Sequence, residues 1–272
     1  MIQAPSAQGQ PIGSRNASLC SPPTIPAVPV EELGVRIGLP ALAAPRSATA
    51  WDQWSMDRDD GPILSSLMRA MQPRRHLEFG TWQGAGAQRV LEACDAAVWS
   101  INLPEGEAAP DGAWRYAEAY EEPDQAPRGA GPPQDFRAGG GKVYYQSDAH
   151  AFIARQVHDA KLGHRFCQIL CDSREWDTGP YPAGFFDSTL IDGGHAPDVV
   201  ESDTRKAVPL VREGGLLLWH DYCPAVAPDL RSPAQAGVVE AIHRTLPWLR
   251  CALRDLFWIE PTQLLLGVRG TA

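Results

Sequence analysis

Between Phe186 and Tyr222 two apolar segments each run into a polar cluster, Asp192-Gly193-Gly194-His195 and His220-Asp221-Tyr222, with an amphipathic segment between them. A short apolar run closed by turn residues is the signature of a buried strand, and two such runs joined by a helix form a right-handed parallel crossover. That handedness brings both polar clusters to one edge of one sheet. In open parallel sheets ligands bind just beyond the carboxyl ends of the strands, so the segment predicts a pocket as well as a fold.

The same alternation extends through the chain. A helix is expected after Asp59-Asp60-Gly61-Pro62, with Ile63, Leu64, Leu67 and Met71 as its apolar face. Strands are expected at Arg75 to Phe79, Val98 to Leu103, Arg165 to Cys171, Phe186 to Ile191 and Leu216 to His220, and a short segment, Lys142 to Gln146, precedes the helix that starts near Ala149. Helices are expected near Ala85 to Ala96, Ala149 to Leu162 and Ala234 to Leu246. Leu249 to Trp258 and Thr262 to Val268 read as a terminal antiparallel pair. Residues 1–50 carry eight prolines among small polar residues and are expected to form a loosely structured arm. Residues 51–272 form the main domain, and its stretch 104–141, rich in Gly, Pro, Glu and Asp, is too long for an ordinary loop and reads as an insert.

Charge and cysteine content narrow the partners. A net charge of -9 argues against a nucleic-acid binder, which needs a basic face. The six cysteines show neither a CxxC pair nor zinc-ligand spacing, so they read as scattered thiols of a cytoplasmic protein. No stretch is long and apolar enough for a membrane span, and the N-terminus lacks the order of a signal peptide. A small-molecule ligand fits this balance; a homo-oligomer is left open.

The first strand runs into Glu78-Phe79-Gly80-Thr81-Trp82-Gln83-Gly84, where the glycines permit a tight turn and close approach of a ligand to the backbone. Trp82 stands where a dinucleotide GxGxxG turn has its second glycine. From about residue 56 to the C-terminus the chain resembles class I S-adenosylmethionine-dependent methyltransferases, whose Glu-x-Gly-x-x-x-Gly turn cradles the methionine part of the cofactor. The resemblance implies a doubly wound α/β fold: a mostly parallel, seven-stranded, Rossmann-like sheet with a C-terminal antiparallel pair. It implies that Glu78 bonds near the cofactor's amino acid end, that Gly80, Thr81 and Gly84 form the backbone wall, and that Asp192 and Gly193 border the cofactor. Asn102 stands where the family usually has an acid for the ribose hydroxyls, which lowers the bond strength there or shares the task with Glu105 or Glu107. Asp172 and Ser173 resemble the family's pair beside the adenine, with Asp148 as a competitor; turn or cap duty is the alternative for either acid.

The two polar strand ends also resemble a methyltransferase subgroup with Asp-Gly-x-His and His-Asp-Tyr ends, mostly of unassigned substrate. Methyl transfer to a hydroxyl requires a base near neutral pKa or a metal that acidifies the acceptor. His195 and His220 are the candidate bases. Asp192 and Asp221 are candidate ligands for a divalent metal such as Mg, although a third oxygen ligand beside Asp221 is missing, since His220 and Tyr222 flank it. Asp203 and Glu201 on the intervening helix are expected to be solvated. The function expected is methylation of a small molecule, at oxygen. The competing classes are a nicotinamide-dependent oxidoreductase and a non-catalytic cofactor-binding regulatory subunit.

Overall fold

A computed structural model describes residues 24–42, 59–103, 134–138, 141–145 and 153–271, the stretches 134–138 and 141–145 by their backbone alone. In chain order the elements are β1 (Ala27–Pro29), α1 (Val30–Ile37), α2 (Gly61–Met71), β2 (Arg75–Phe79), α3 (Ala85–Ala93), β3 (Ala97–Asn102), β4 (Gln134–Ala138), β5 (Gly141–Tyr145), α4 (Arg155–Asp159), β6 (Phe166–Leu170), β7 (Phe186–Ile191), α5 (Pro197–Leu210), β8 (Val211–Trp219), α6 (Pro233–Ala252), β9 (Leu253–Glu260) and β10 (Leu265–Arg269). They form one sheet of order β1-β9-β10-β8-β7-β2-β3-β6-β5-β4. The seven strands from β9 to β6 are the expected doubly wound sheet, with β10 antiparallel to both β8 and β9. The sheet is wider than expected because β1 extends it at one end and the β5–β4 hairpin at the other.

Strand alternation decides which layer each side chain enters. Along β2, Leu77 and Phe79 join the apolar cluster that contains Val200, Val208, Ile242 and Trp219, packed against α5 and α6. The intervening His76 and Glu78 face the other way and are also buried. That second layer is closed by α1, α2, α3 and α4 through Leu33, Leu64, Leu67, Val90 and Val157. Helix starts follow local chemistry. Pro62 sits in the first turn of α2, and Ser232 caps α6 in a reciprocal box with Gln235.

Several expectations are corrected. Residues 24–42 of the proline-rich arm are built into the fold: Val28 and Leu33 are buried, and β1 pairs in parallel with β9. Apolar side chains at helical spacing outweigh the local prolines. Leu249 to Ala252 continue α6 because Leu246 and Leu249 keep the apolar face of that helix buried, so the strand begins at Leu253. Asp203 is buried, not solvated. The insert apart from 134–138 and Gly141, together with Glu105, Glu107 and Asp148, lies outside the described residues. Among the described residues no helix is long and apolar enough to cross a membrane.

Candidate active site

Register carries the site. Phe79 pairs with Ile101 on one side and Ile191 on the other, and Ile191 pairs with Trp219. The next residues, Gly80, Asn102, Asp192 and His220, therefore lie in a row along one edge. Backbone bonds carry the row past the strand ends: Gly80 N–H donates to Ile101 O, Asp192 N–H to Phe79 O and His220 N–H to Ile191 O, at 2.8, 2.8 and 3.0 Å.

The glycine turn is built for close approach. Gly80 has φ of 90°, and a Cβ there would collide with the carbonyl of Asp192. Gly84 has φ of 91° and faces the backbone of Ala154. Both conformations favour glycine. Asn102 does something other than what its position suggested. Its Oδ1 accepts the backbone N–H groups of Thr81 (3.0 Å) and Trp82 (2.9 Å), and its Nδ2 donates to Leu103 O. The side chain expected to meet the ribose braces the turn.

Behind the turn lies a polar network. Ser100 Oγ donates to Glu78 Oε2 at 2.6 Å, Thr81 Oγ1 bonds Ser100 Oγ at 2.7 Å, and Gln168 Nε2 donates to Thr81 Oγ1 at 2.8 Å. All four residues are buried. Burial pushes the Glu78 carboxyl up to about 8, and the charge of Asp192 adds to it. Glu78 and Thr81 thus face inward, and the backbone of residues 80–84 is what the turn presents outward. Ser100 and Gln168 were missed by sequence reasoning, since an isolated polar residue inside a strand carries no motif.

Asp172 and Ser173 fold against α5 instead of pointing along the edge. Arg174 grips Asp172 through its backbone N–H, Nε and Nη2 and reaches Asp198 at 3.2 Å. Burial opposes the charge of Asp172, but these bonds hold its carboxyl below the usual range. Lys206 Nζ donates to the carbonyls of Ser173, Arg174 and Trp176. Turn duty accounts for every bond that Asp172 makes in this loop. Nearby, Asp203 is pushed up to about 7 by burial, only partly offset by Ser173 and Lys206, and neither oxygen makes a hydrogen bond of ordinary geometry.

The strand ends β7 and β8 converge as expected. His195 Nε2 lies 2.9 Å from Asp221 Oδ2. His220 is enclosed: Nδ1–H donates to Asp192 Oδ1 at 3.1 Å and lies 3.4 Å from Asp221 Oδ2, and Nε2–H donates to Asp60 Oδ2 at 3.0 Å. Burial opposes a charged ring, yet Asp192 and Asp221 hold the His220 pKa well above its ordinary value. With both nitrogens engaged, His220 has no lone pair for a substrate proton, which removes it from the candidate bases. His195 keeps one. Its side chain is 32% exposed against 10% for His220. Burial works against its charge too, but the hydrogen bond and charge of Asp221 raise its pKa overall. Asp221, with φ of 60°, resists burial through His220 and His195 and lies far below the carboxylate range.

Asp192, His195 and Asp221 each offer a ligand atom within 4.8 Å of the others. The third ligand that the sequence lacked beside Asp221 is available from His195. Asp60 was read only as a helix start; its partner is 160 residues away, and no local pattern signals it. Among the aromatic residues near these strand ends, Trp82 is half-exposed, whereas Trp176, Trp219 and Tyr222 are buried in packing.

A family profile described as "Methyltransferase domain" matches residues 77–222, more than half of the chain. Among solved structures, the chain is similar to an S-adenosylhomocysteine-bound methyltransferase from Podospora anserina, at 15% identity over 81% of each chain with a TM-score of 0.50. It is also similar to a Staphylococcus aureus protein described as a candidate caffeoyl-CoA O-methyltransferase, at 14% identity over 89% of this chain and 90% of that one, again with a TM-score of 0.50. At these identities the likeness is one of fold. No curated protein matches the chain.

Proposed function

The chain belongs to the methyltransferase-domain family, and from that premise we propose that it transfers the methyl group of S-adenosylmethionine to an oxygen of a small-molecule acceptor. One observation carries the reading: the open backbone of the Gly80–Gly84 turn lies in register beside Asp192, next to the His195–Asp221 pair. A donor cradled on the turn would present its methyl group toward that pair.

The transfer is an in-line displacement in which positioning supplies most of the catalysis. The acceptor oxygen attacks the methyl carbon, the carbon–sulfur electron pair returns to sulfur, and the acceptor's proton must go to a base. His195 fits that role. Its Nε2–H donates to Asp221, which leaves Nδ1 to take the proton, and the Asp221 charge stabilises the imidazolium that results. His220 holds Asp192 and Asp221 in place.

A metal-assisted form of the same reaction is favoured by the spacing of Asp192, His195 and Asp221. Two carboxylates and an imidazole suit Mn²⁺, Fe²⁺ or Zn²⁺ better than Mg²⁺, which prefers oxygen alone. A bound ion would lower the pKa of the acceptor hydroxyl. His195 would then be a ligand and not a base.

We take the protein to be cytoplasmic, with residues 51–272 as the catalytic domain. Calorimetry with S-adenosylmethionine, S-adenosylhomocysteine and NAD tests the proposal: binding of the first two and not the third is expected, and NAD binding alone would replace it with a nicotinamide enzyme. Turnover that survives a chelator would favour His195 as base; turnover abolished by it and restored by Mn²⁺ would favour the metal.

A further inference from the structure

Asp60 immediately precedes α2, remote in sequence from every strand end, yet it is fully buried against the site. A buried carboxylate is costly unless its oxygens are satisfied. Here both oxygens are engaged: Oδ2 takes His220 Nε2–H at 3.0 Å, and Oδ1 takes the backbone N–H of Gln263 at 3.3 Å. The carbonyl of Gln263 in turn accepts the backbone N–H of Tyr222 at 3.0 Å. Tyr222 follows Asp221 in the chain, and Asp221 lies against His220 Nδ1. Asp60, Gln263, Tyr222, Asp221 and His220 thus form a closed frame.

The frame has a directional consequence. An imidazole gripped at one nitrogen can swing about that contact; gripped at both ends it cannot. With Nε2 held by Asp60, Nδ1 of His220 must point between Asp192 and Asp221, 3.1 and 3.4 Å away. The same Asp221 oxygen that meets His220 also meets His195 Nε2 at 2.9 Å. Where Asp221 sits therefore decides whether His195 is oriented, and where His220 sits decides Asp221. Asp60 touches neither His195 nor the open side of the site.

We propose that Asp60 is a positioning residue for methyl transfer, fixing the ring of His220 and through it the Asp221 carboxylate that orients His195. Its functional meaning rests on His195 acting at the acceptor. The geometric claim can be tested without an acceptor.

The test is imidazole ¹⁵N–¹H NMR of the full chain carrying ¹⁵N-labelled histidine, with S-adenosylhomocysteine titrated in parallel. Asn offers a single acceptor where Asp60 offers two, so Asp60→Asn must forfeit the bond to His220 or the bond to Gln263. In the wild-type chain the His195 Nε2 proton is expected as a slowly exchanging, downfield resonance. In Asp60→Asn, with S-adenosylhomocysteine affinity unchanged, that His195 resonance is expected to be lost, although the substitution touches neither His195 nor its partner. A folded Asp60→Asn protein whose His195 resonance is unmoved would make Asp60 only a brace of α2 and overturn the proposal. Should Asp60→Asn not fold, His220→Gln reads the same link from its other side, with the same expected loss at His195 and the same refuting outcome. Failure of the wild-type chain to bind S-adenosylhomocysteine would instead refute the methyl-transfer reading and leave the NMR comparison to decide the frame.

Discussion

Replacing Asn102 by Leu separates a brace from a ligand. In the structure its Oδ1 is the acceptor for two backbone N–H groups, at Thr81 and Trp82. A buried donor left without a partner costs about 1–3 kcal/mol. Thr81 is buried, so its N–H incurs that cost in full, whereas Trp82 is half-exposed and water can rejoin its amide. Adding the bond from Nδ2 to Leu103, Asn102→Leu should destabilise the fold by about 2–4 kcal/mol. For a chain of this size that is a fall in Tm of about 4–16 °C. Asn102→Asp keeps acceptors for both amides and should lose much less. The assay is urea unfolding, read as a shift in midpoint at constant slope, beside calorimetry with S-adenosylhomocysteine. Wild-type stability in Asn102→Leu together with lost cofactor affinity would refute the argument, because it would mean the side chain faces the cofactor and not the turn.

The other tests are briefer. His195→Ala should lower turnover by about 10²–10⁴-fold once an acceptor is known. Because His195 must be neutral to act and its pKa is raised, the wild-type rate should fall with decreasing pH through a value above 6.5; a limb below it would remove His195 as base. The raised pKa of His220 makes its contribution to stability fully present below its unfolded value and lost as pH rises through the folded one. His220→Gln should therefore flatten the alkaline decline seen in urea unfolding. Glu78 acts with the same sign in a window set by its own values: a carboxyl pushed up to about 8 weakens the fold as pH climbs from 4.5 toward 8. Glu78→Gln should lose less stability over that interval, and an unchanged pH slope would show that Glu78 is ionised normally.

How much of this was legible depended on the range of the interaction. The strands Arg75–Phe79 and Phe186–Ile191 have the expected bounds, because a buried parallel strand is an uninterrupted apolar or inward-facing run closed by a turn residue. The crossover rule then brought Asp192, His195 and Asp221 together without further information. What depended on packing between distant segments was not legible. Asp60 looked like any acidic helix start, Asp203 like any polar residue on an amphipathic helix, and Val28 and Leu33 like scattered residues in a proline-rich arm. Asn102 and Asp172 stood where strand-end ligands belong, but neighbouring amides and Arg174 had the first claim on their oxygens.

The frame around His220 passes through position 263 by main chain alone, one N–H inward and one carbonyl outward. The frame itself therefore reads no side chain at position 263 and excludes only proline there, because it lacks the N–H. Covariation should appear instead between positions 60 and 220, jumping over the residue that physically joins their two ends.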